Sequence, residues 1–243
     1  ARPAASPGSR ARQSAGWRNS SSRDMGSPGE SPADSRPARF LPHDAGRVWP
    51  LAWSGAVIVG SQWLAFGAAI VWSNRYGEAG NALVFTLGWT LFLLPWSVLV
   101  LPIATSVFPQ LARLHAEDEH ERASRTIALS TRAVVTAAAI GGAGLAAAAE
   151  PLARVMLEGA PGPDRVPALA VLLVALAPGV VAYGVHGHAV RVLSAQHRAP
   201  VAALGTAVGW AIGLMLAGWG VRGAGSDASE VAAALGVGFS TGL

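Results

Sequence analysis

Few residues in this chain could do chemistry, and those few sit inside or beside long apolar runs. His186 and His188 stand two apart, so on a helix their rings point about 200° from one another. No Asp, Glu or Cys lies close by to complete a metal site with them. His188 and Arg191 are three apart and share a helical face. Two readings stay open for that face: a patch turned toward a phosphate, or an ordinary pair at the membrane boundary. Arg132 is the one basic residue that would fall within hydrocarbon depth. Such residues mark substrate paths by default, although an Arg near a helix end also snorkels to water. Glu150 and Arg154, four apart in the acid-first order, read as a structural ion pair. Pro95, Pro102 and Pro109 are spaced by seven, which on a regular helix places all three near one face. Each removes a backbone donor and bends its helix. They are hinge candidates in a transporter, and equally the kind of proline that neighbouring membrane helices tolerate.

Other chemistries lack their residues. The stretch 115–125, HAEDEHERASR, is a solvated run of mixed charge, unlike an aspartate-rich metal motif or a paired-carboxylate site. There is no Gly-rich phosphate loop after a strand and no Gly-x-Ser-x-Gly elbow. The absence of cysteine excludes disulfides, Cys-ligated zinc and thiol catalysis. No catalytic residue, metal or cofactor is therefore expected, and the chain reads as a non-enzyme.

The elements that must position these residues are membrane spans. Of the 243 residues, 51% are hydrophobic and 13% charged, with a mean hydropathy of +0.39. A soluble domain usually carries about 25% charged residues. Residues 48–74 and 79–112 contain no Asp, Glu, Lys or Arg, and a spanning helix needs about 20 residues. Further apolar runs place spans near 49–72, 82–112, 127–157, 166–192 and 200–221, with the start of a sixth near 228–243. The runs are long and show no period-two alternation, so helices are expected rather than barrel strands. Gly205, Gly209 and Gly213 are spaced by four, a small-residue face for close helix packing, and Gly141 and Gly142 add to that capacity. Trp49, Trp53 and Trp72 suit interfacial anchoring. The expectation is an all-α polytopic helical membrane protein with about six transmembrane helices over residues 48–243, part of a longer protein.

Residues 1–47 hold eight of the 18 basic residues and almost no large aliphatics. They cannot bury enough apolar surface to offset their ordering entropy, so a disordered tail or linker is expected. A basic arm on anionic lipid headgroups and translated upstream sequence are the alternatives. Every basic residue is Arg, and the arginines sit in this tail and in short loops rather than in a stripe, so no nucleic-acid partner is expected. Counted with the tail, the arginines of the loops after the second and fourth spans (Arg113, Arg122, Arg125, Arg191, Arg198) outnumber Arg75, Arg154, Arg165 and Arg222 opposite. That balance puts the tail and those two loops in the cytoplasm.

Three stretches carry a resemblance. Residues 82–114, ALVFTLGWTLFLLPWSVLVLPIATSVFPQLARL, resemble the eighth transmembrane helix and following loop of the MurJ/MviN family. These are lipid II flippases of the multidrug/oligosaccharidyl-lipid/polysaccharide exporter superfamily. Ala149-Glu150-Pro151-Leu152 is similar to the family's turn out of the ninth helix. Residues 177–198, APGVVAYGVHGHAVRVLSAQHR, followed by Pro200, are similar to its tenth helix and short loop. The wording is closest to the actinobacterial branch. The resemblance implies a two-lobe flippase of which this chain is most of the second lobe, helices seven to twelve. It also implies outward movement of a lipid-linked peptidoglycan precursor by alternating access across the cytoplasmic membrane, with the membrane potential as candidate energy source. Membrane lipids and cell-wall synthesis proteins would be its other partners. The family's eighth helix carries an Arg and, three residues on, a Glu facing the cavity. Here Thr90 and Leu93 occupy those positions, so substrate-path candidates are Thr90, Arg132, His188 and Arg191. The alternatives are a non-transporting scaffold in cell-wall assembly, an exporter of another amphipathic substrate, and, more remotely, a membrane glycosyl- or acyltransferase.

Overall fold

The computed structural model describes residues 45–77, 80–159, 165–224 and 227–242. The expected disordered tail lies outside the described residues, save for positions 45–47, which open the first helix. The helices are α1 (Ala45–Tyr76), α2 (Asn81–Pro95), α3 (Leu101–Ala116), α4 (His120–Ala147), α5 (Ala149–Met156), α6 (Arg165–Ala195), α7 (Ala199–Gly223) and α8 (Ala228–Gly242). A π-helical turn, Trp96–Val100, joins α2 to α3. No strand occurs among the described residues, and five helical segments are long and apolar enough to cross a membrane: Leu51–Tyr76, Asn81–Ala116, His120–Ala147, Arg165–Ala195 and Ala199–Gly223. The chain is an all-α polytopic membrane protein.

Packing centres on α8, which runs antiparallel to α7 and parallel to α6. A Cβ added at Gly238 would lie 2.7 Å from the Ala217 Cα, and one at Gly242 would lie 2.5 Å from the Gly213 Cα. On the α6 side, a Cβ at Gly236 would meet the Ala175 Cβ at 2.6 Å, and the Ser240 hydroxyl donates to the Ala175 carbonyl at 2.6 Å. Lipid tails are as apolar as Leu, so helices in a bilayer associate through such close backbone contact and not through hydrophobic exclusion from water. Gly209 and Gly213 both serve this seam, as their spacing predicts, whereas Gly205 has nothing within 4 Å among the described residues. At the level of the seam the aromatic rings of five helices converge. Trp89 of α2 touches Phe66 (α1), Tyr183 (α6), Trp210 (α7) and Phe239 (α8) at centroid distances of 5.7–6.3 Å. Each such pair adds about 0.5–1.5 kcal/mol beyond the area it buries.

Three features depart from the sequence expectation. The third span does not continue to residue 157. Pro151 lacks the N–H that an unbroken helix would aim at the Ala147 carbonyl, so α4 stops there and α5 starts afresh with Pro151 in its first turn. Trp72 is not a free anchor, since its ring lies against Gly218 of α7, while Trp49 and Trp53 are exposed. The prolines do not share one face. A π turn holds one residue more than an α turn, and here the Leu101 N–H reaches back to the Trp96 carbonyl. Everything after it is rotated by about 100° relative to a regular helix. Pro95 consequently packs against Gly141 of α4, whereas Pro102 and Pro109 are exposed.

The same rotation is what brings Ala104, Leu111 and Leu114 of α3 into the bundle below Phe85 and Phe92 of α2. Asp227 caps α8, accepting the Ser229 N–H at 2.7 Å and the Ser229 hydroxyl, and these bonds hold its carboxyl below the usual carboxylate range. The α8 seam is tested by Gly238→Val, which should lower stability in detergent by about 1–3 kcal/mol through overpacking. Gly205→Val should leave the melting curve unchanged. Equal melting of the two variants would refute the close-approach account.

Candidate functional site

Two sets of polar groups stand out in a bundle built from apolar side chains. The first is buried or half-buried and centred on α6, where successive residues aim at different helices because each step along the chain turns by about 100°. Tyr183 accepts a hydrogen bond from the Gln62 side-chain amide of α1 at 3.0 Å, with its ring 5.0 Å from that of Trp96. His186 meets the Thr206 hydroxyl of α7 at 3.1 Å between Nε2 and Oγ1, and His188 meets the Ser130 hydroxyl of α4 at 3.1 Å through Nε2. The Arg191 guanidinium donates to the Gly187 carbonyl at 2.7 Å. One α6 segment thus ties α1, α4 and α7 together through single polar contacts. In transmembrane helices such contacts average about 0.6 kcal/mol each.

His188 is 3% exposed, and its Nδ1 has no hydrogen-bond partner among the described residues. The face it shares with Arg191 in the sequence is therefore an α4–α6 packing face in this structure. A substrate would reach its ring only if those helices separated. Arg191 is half-buried and turned back on its own helix, so the two residues do not form one anion patch here.

The second set is exposed and runs down the second span. Thr86, Thr90, Thr105, Ser106, Gln110 and Arg113 are all exposed, with Ser97 half-buried among them. Thr86, Thr90 and Ser97 lie on one face of α2 and the π turn by the 100° rule. Thr105 would stand about 100° away on a regular helix, and the extra residue of the π turn brings it back beneath them. The Thr90 hydroxyl donates to the Thr86 carbonyl and that of Thr105 to the Leu101 carbonyl, at 2.8 and 2.9 Å. Self-satisfied in this way, the hydroxyls tolerate an apolar environment while their oxygens still accept a bond from a ligand. Leu93, three residues after Thr90, is half-buried beside the stripe.

Arg132 stands elsewhere. It is exposed on the side of α4 opposite Val134, Ala138 and Gly141, the residues that pack into the bundle, and Thr136 lies one turn further along its face. The structure thus brings Thr90 to an open polar face and leaves Arg132, His188 and Arg191 on other faces. At the opposite end of the bundle from the α3–α4 turn, a cleft of about 870 Å³ opens between α4, α5 and α6. Its walls are small and apolar, and its two charges, Glu150 and Arg154, are paired with each other. The ion pair read from their spacing is present on α5, with both side chains exposed. Among the described residues no group of three His, Cys, Asp or Glu could hold a metal ion.

Sequence reading did not single out Tyr183, Gln62, Ser130 or Thr206. Tyr183 and Thr206 stand alone among apolar and small residues, and that isolation was the available signal, whereas Gln62 follows Ser61 and Ser130 precedes Thr131 and Arg132. Arg191→Ala should impair complementation more than His186→Ala. Thr206 keeps its bond to the Ala202 carbonyl when His186 is removed, whereas loss of Arg191 removes the charge beside Gly187. Equal effects would count against a role for Arg191 beyond packing.

Residues 38–241 match the family model described as Lipid II flippase MurJ. No curated protein and no solved structure matches the chain.

Proposed function

The chain belongs to the MurJ lipid II flippase family, and from that membership we propose that it moves a lipid-linked peptidoglycan precursor across the cytoplasmic membrane by alternating access. The work is binding and conformational change, with no bond made or broken. The observation that carries this reading is the row of hydroxyls Thr86, Thr90, Ser97 and Thr105, which the π turn keeps on one face of the second span. Their oxygens can still accept bonds from the polar group of an amphipathic substrate, which lipid tails do not offer. Thr90 stands one turn after Thr86 in this row, in the place of the family's charged residue. It offers a hydroxyl, so charge for a pyrophosphate has to come from Arg113, Arg132 or residues beyond this lobe.

The hinge of the movement is the Pro95–Pro102 segment. Pro95 and Pro102 remove two donors from the backbone ladder, and the π turn between them is the weakest stretch of the span. The end that carries the α3–α4 and α6–α7 turns faces the cytoplasm, as the arginine balance indicates. Cell-wall synthesis proteins are the partners that would receive the product. A non-transporting scaffold is the second reading, favoured by the uncharged pair Thr90 and Leu93.

The decisive experiment depletes the full-length protein and measures lipid II on the outer leaflet in cells lacking a redundant relative. Exposure should fall, and unchanged exposure would leave the scaffold reading. In the same cells Thr90→Leu should lower exposure without lowering protein level. Deleting Val98 removes the extra residue and restores a regular helix without rotating α3. The deletion variant should therefore insert and melt like the wild type yet lose export, while an alanine inserted after Val98 should destabilise the bundle. Full export by the deletion variant would rule out the π turn as the hinge.

A further inference from the structure

The end of the bundle formed by the α3–α4 and α6–α7 turns holds a second polar site, separate from the stripe on α2 and α3. Both turns are tight because α3 and α6 end in the same way. The Glu119 N–H returns to the Leu114 carbonyl at 3.0 Å and the Arg198 N–H to the Leu193 carbonyl at 2.8 Å. In each turn a residue other than Gly takes the left-handed conformation, Asp118 at φ 56° and His197 at φ 58°, a geometry that closes helix ends. The chain then enters α4 and α7 at once, and His120 of α4 and Arg198 ahead of α7 line one cleft.

Between the turns lies a cleft of about 430 Å³, lined by His115, His120, Ser124, Gln196 and Arg198, with Ile127 on its apolar side. That volume is within the range of about 300–1,000 Å³ typical of small-ligand sites. The lining is rich in hydrogen-bond donors: a guanidinium, two imidazoles, a hydroxyl and a carboxamide. The His115 and His120 rings lie nearly parallel, 14° apart in plane with centroids 6.0 Å apart. Stacked in that manner their nitrogens do not converge on one point, so the pair does not suit a shared metal ion. No acidic residue lines the cleft, although the neighbouring turn is acidic. Glu119, the acid next to His120, is tied to Arg122 at 2.9 Å, and Glu117, Asp118 and Glu121 are exposed. His120 and Ser124 belong to the first turns of α4, and Arg198 is the residue before α7, so the lining comes from the starts of two helices.

We propose that this cleft binds a phosphate group, held by Arg198 and the His120 imidazole. A guanidinium fork pairs bidentately with an oxyanion, and the neutral donors around it can serve the further oxygens that a phosphate has and a carboxylate lacks. Both a soluble phosphate compound and the headgroup of an anionic phospholipid present that chemistry at a membrane surface. The site does not depend on the transport reading, because binding is measured whether or not anything crosses the bilayer.

The test uses the full chain in nanodiscs. Inorganic phosphate and diphosphate are titrated by calorimetry in phosphatidylcholine discs, and retention of phosphatidylglycerol is measured by native mass spectrometry from mixed discs. Wild-type binding of diphosphate, weakened by about tenfold or more in Arg198→Ala and His120→Ala, supports the site with a soluble source, as expected for loss of a charge-assisted hydrogen bond. Retention of phosphatidylglycerol that both variants lose, with no response to the soluble ions, supports it with a lipid source. Arg125→Ala removes the same charge from exposed α4 surface outside the cleft and should change either readout by less than about twofold. Arg198 is exposed and serves α7 through its backbone, so Arg198→Ala folds even if His120→Ala does not, as thermal melting would show. The proposal is overturned if the wild type binds none of the probes, or if Arg125→Ala weakens binding as much as Arg198→Ala.

Discussion

The close approach of α8 to α6 and α7 is the constraint on which the rest of the bundle depends. In a bilayer there is no water for apolar faces to escape, so contact must come from fitting backbones together. Gly209, Gly213, Gly236, Gly238 and Gly242 remove the side chains that would hold the helices apart. With that seam closed, Phe239 is carried against Phe85, Trp89 and Trp210. Trp89 in turn gathers α1 and α6 through Phe66 and Tyr183. A short helix thereby sets the spacing of four long ones.

The interior polar contacts act on this frame as register marks. Gln62 to Tyr183, Thr206 to His186 and Ser130 to His188 each join a different helix to α6. Their small individual energies suit a protein whose helices must part and rejoin. Glycine seams bind rigidly, while single hydrogen bonds can be exchanged for others at little cost. In the proposed cycle the α8 seam keeps the lobe intact and the second span does the bending.

That span shows how an irregularity can serve two purposes. The π turn rotates α3 so that Ala104, Leu111 and Leu114 bury themselves, and the same rotation lines up Thr105 with Thr86 and Thr90 on the outside. Packing and the polar face are therefore satisfied together, and a regular helix of the same sequence could satisfy only one half of the span at a time. The cleft at the α3–α4 and α6–α7 turns stands apart from this: it exists because two helix ends close in the same left-handed manner and bring His115, His120 and Arg198 side by side.

That the chain is a set of apolar helices, and the family it belongs to, were legible from the chain alone, whereas the break ahead of Pro151 was not. Charge-free runs of sufficient length leave the backbone no alternative in hydrocarbon, and stretches such as PIATSVFPQLA carry the family in their wording. The Glu150–Arg154 pair and the use of Gly209 and Gly213 were also legible, since both follow from spacing on one regular helix. The shared face expected for Pro95, Pro102 and Pro109 was not, because one extra residue in a turn changes every later direction and leaves no mark in composition. Nor could spacing say that His188 would be sealed against Ser130 while Thr90 stayed open. Periodicity places a residue on a face of its own helix; which neighbour covers that face is decided by the packing of helices far apart in sequence, and here the tertiary structure alone decided it.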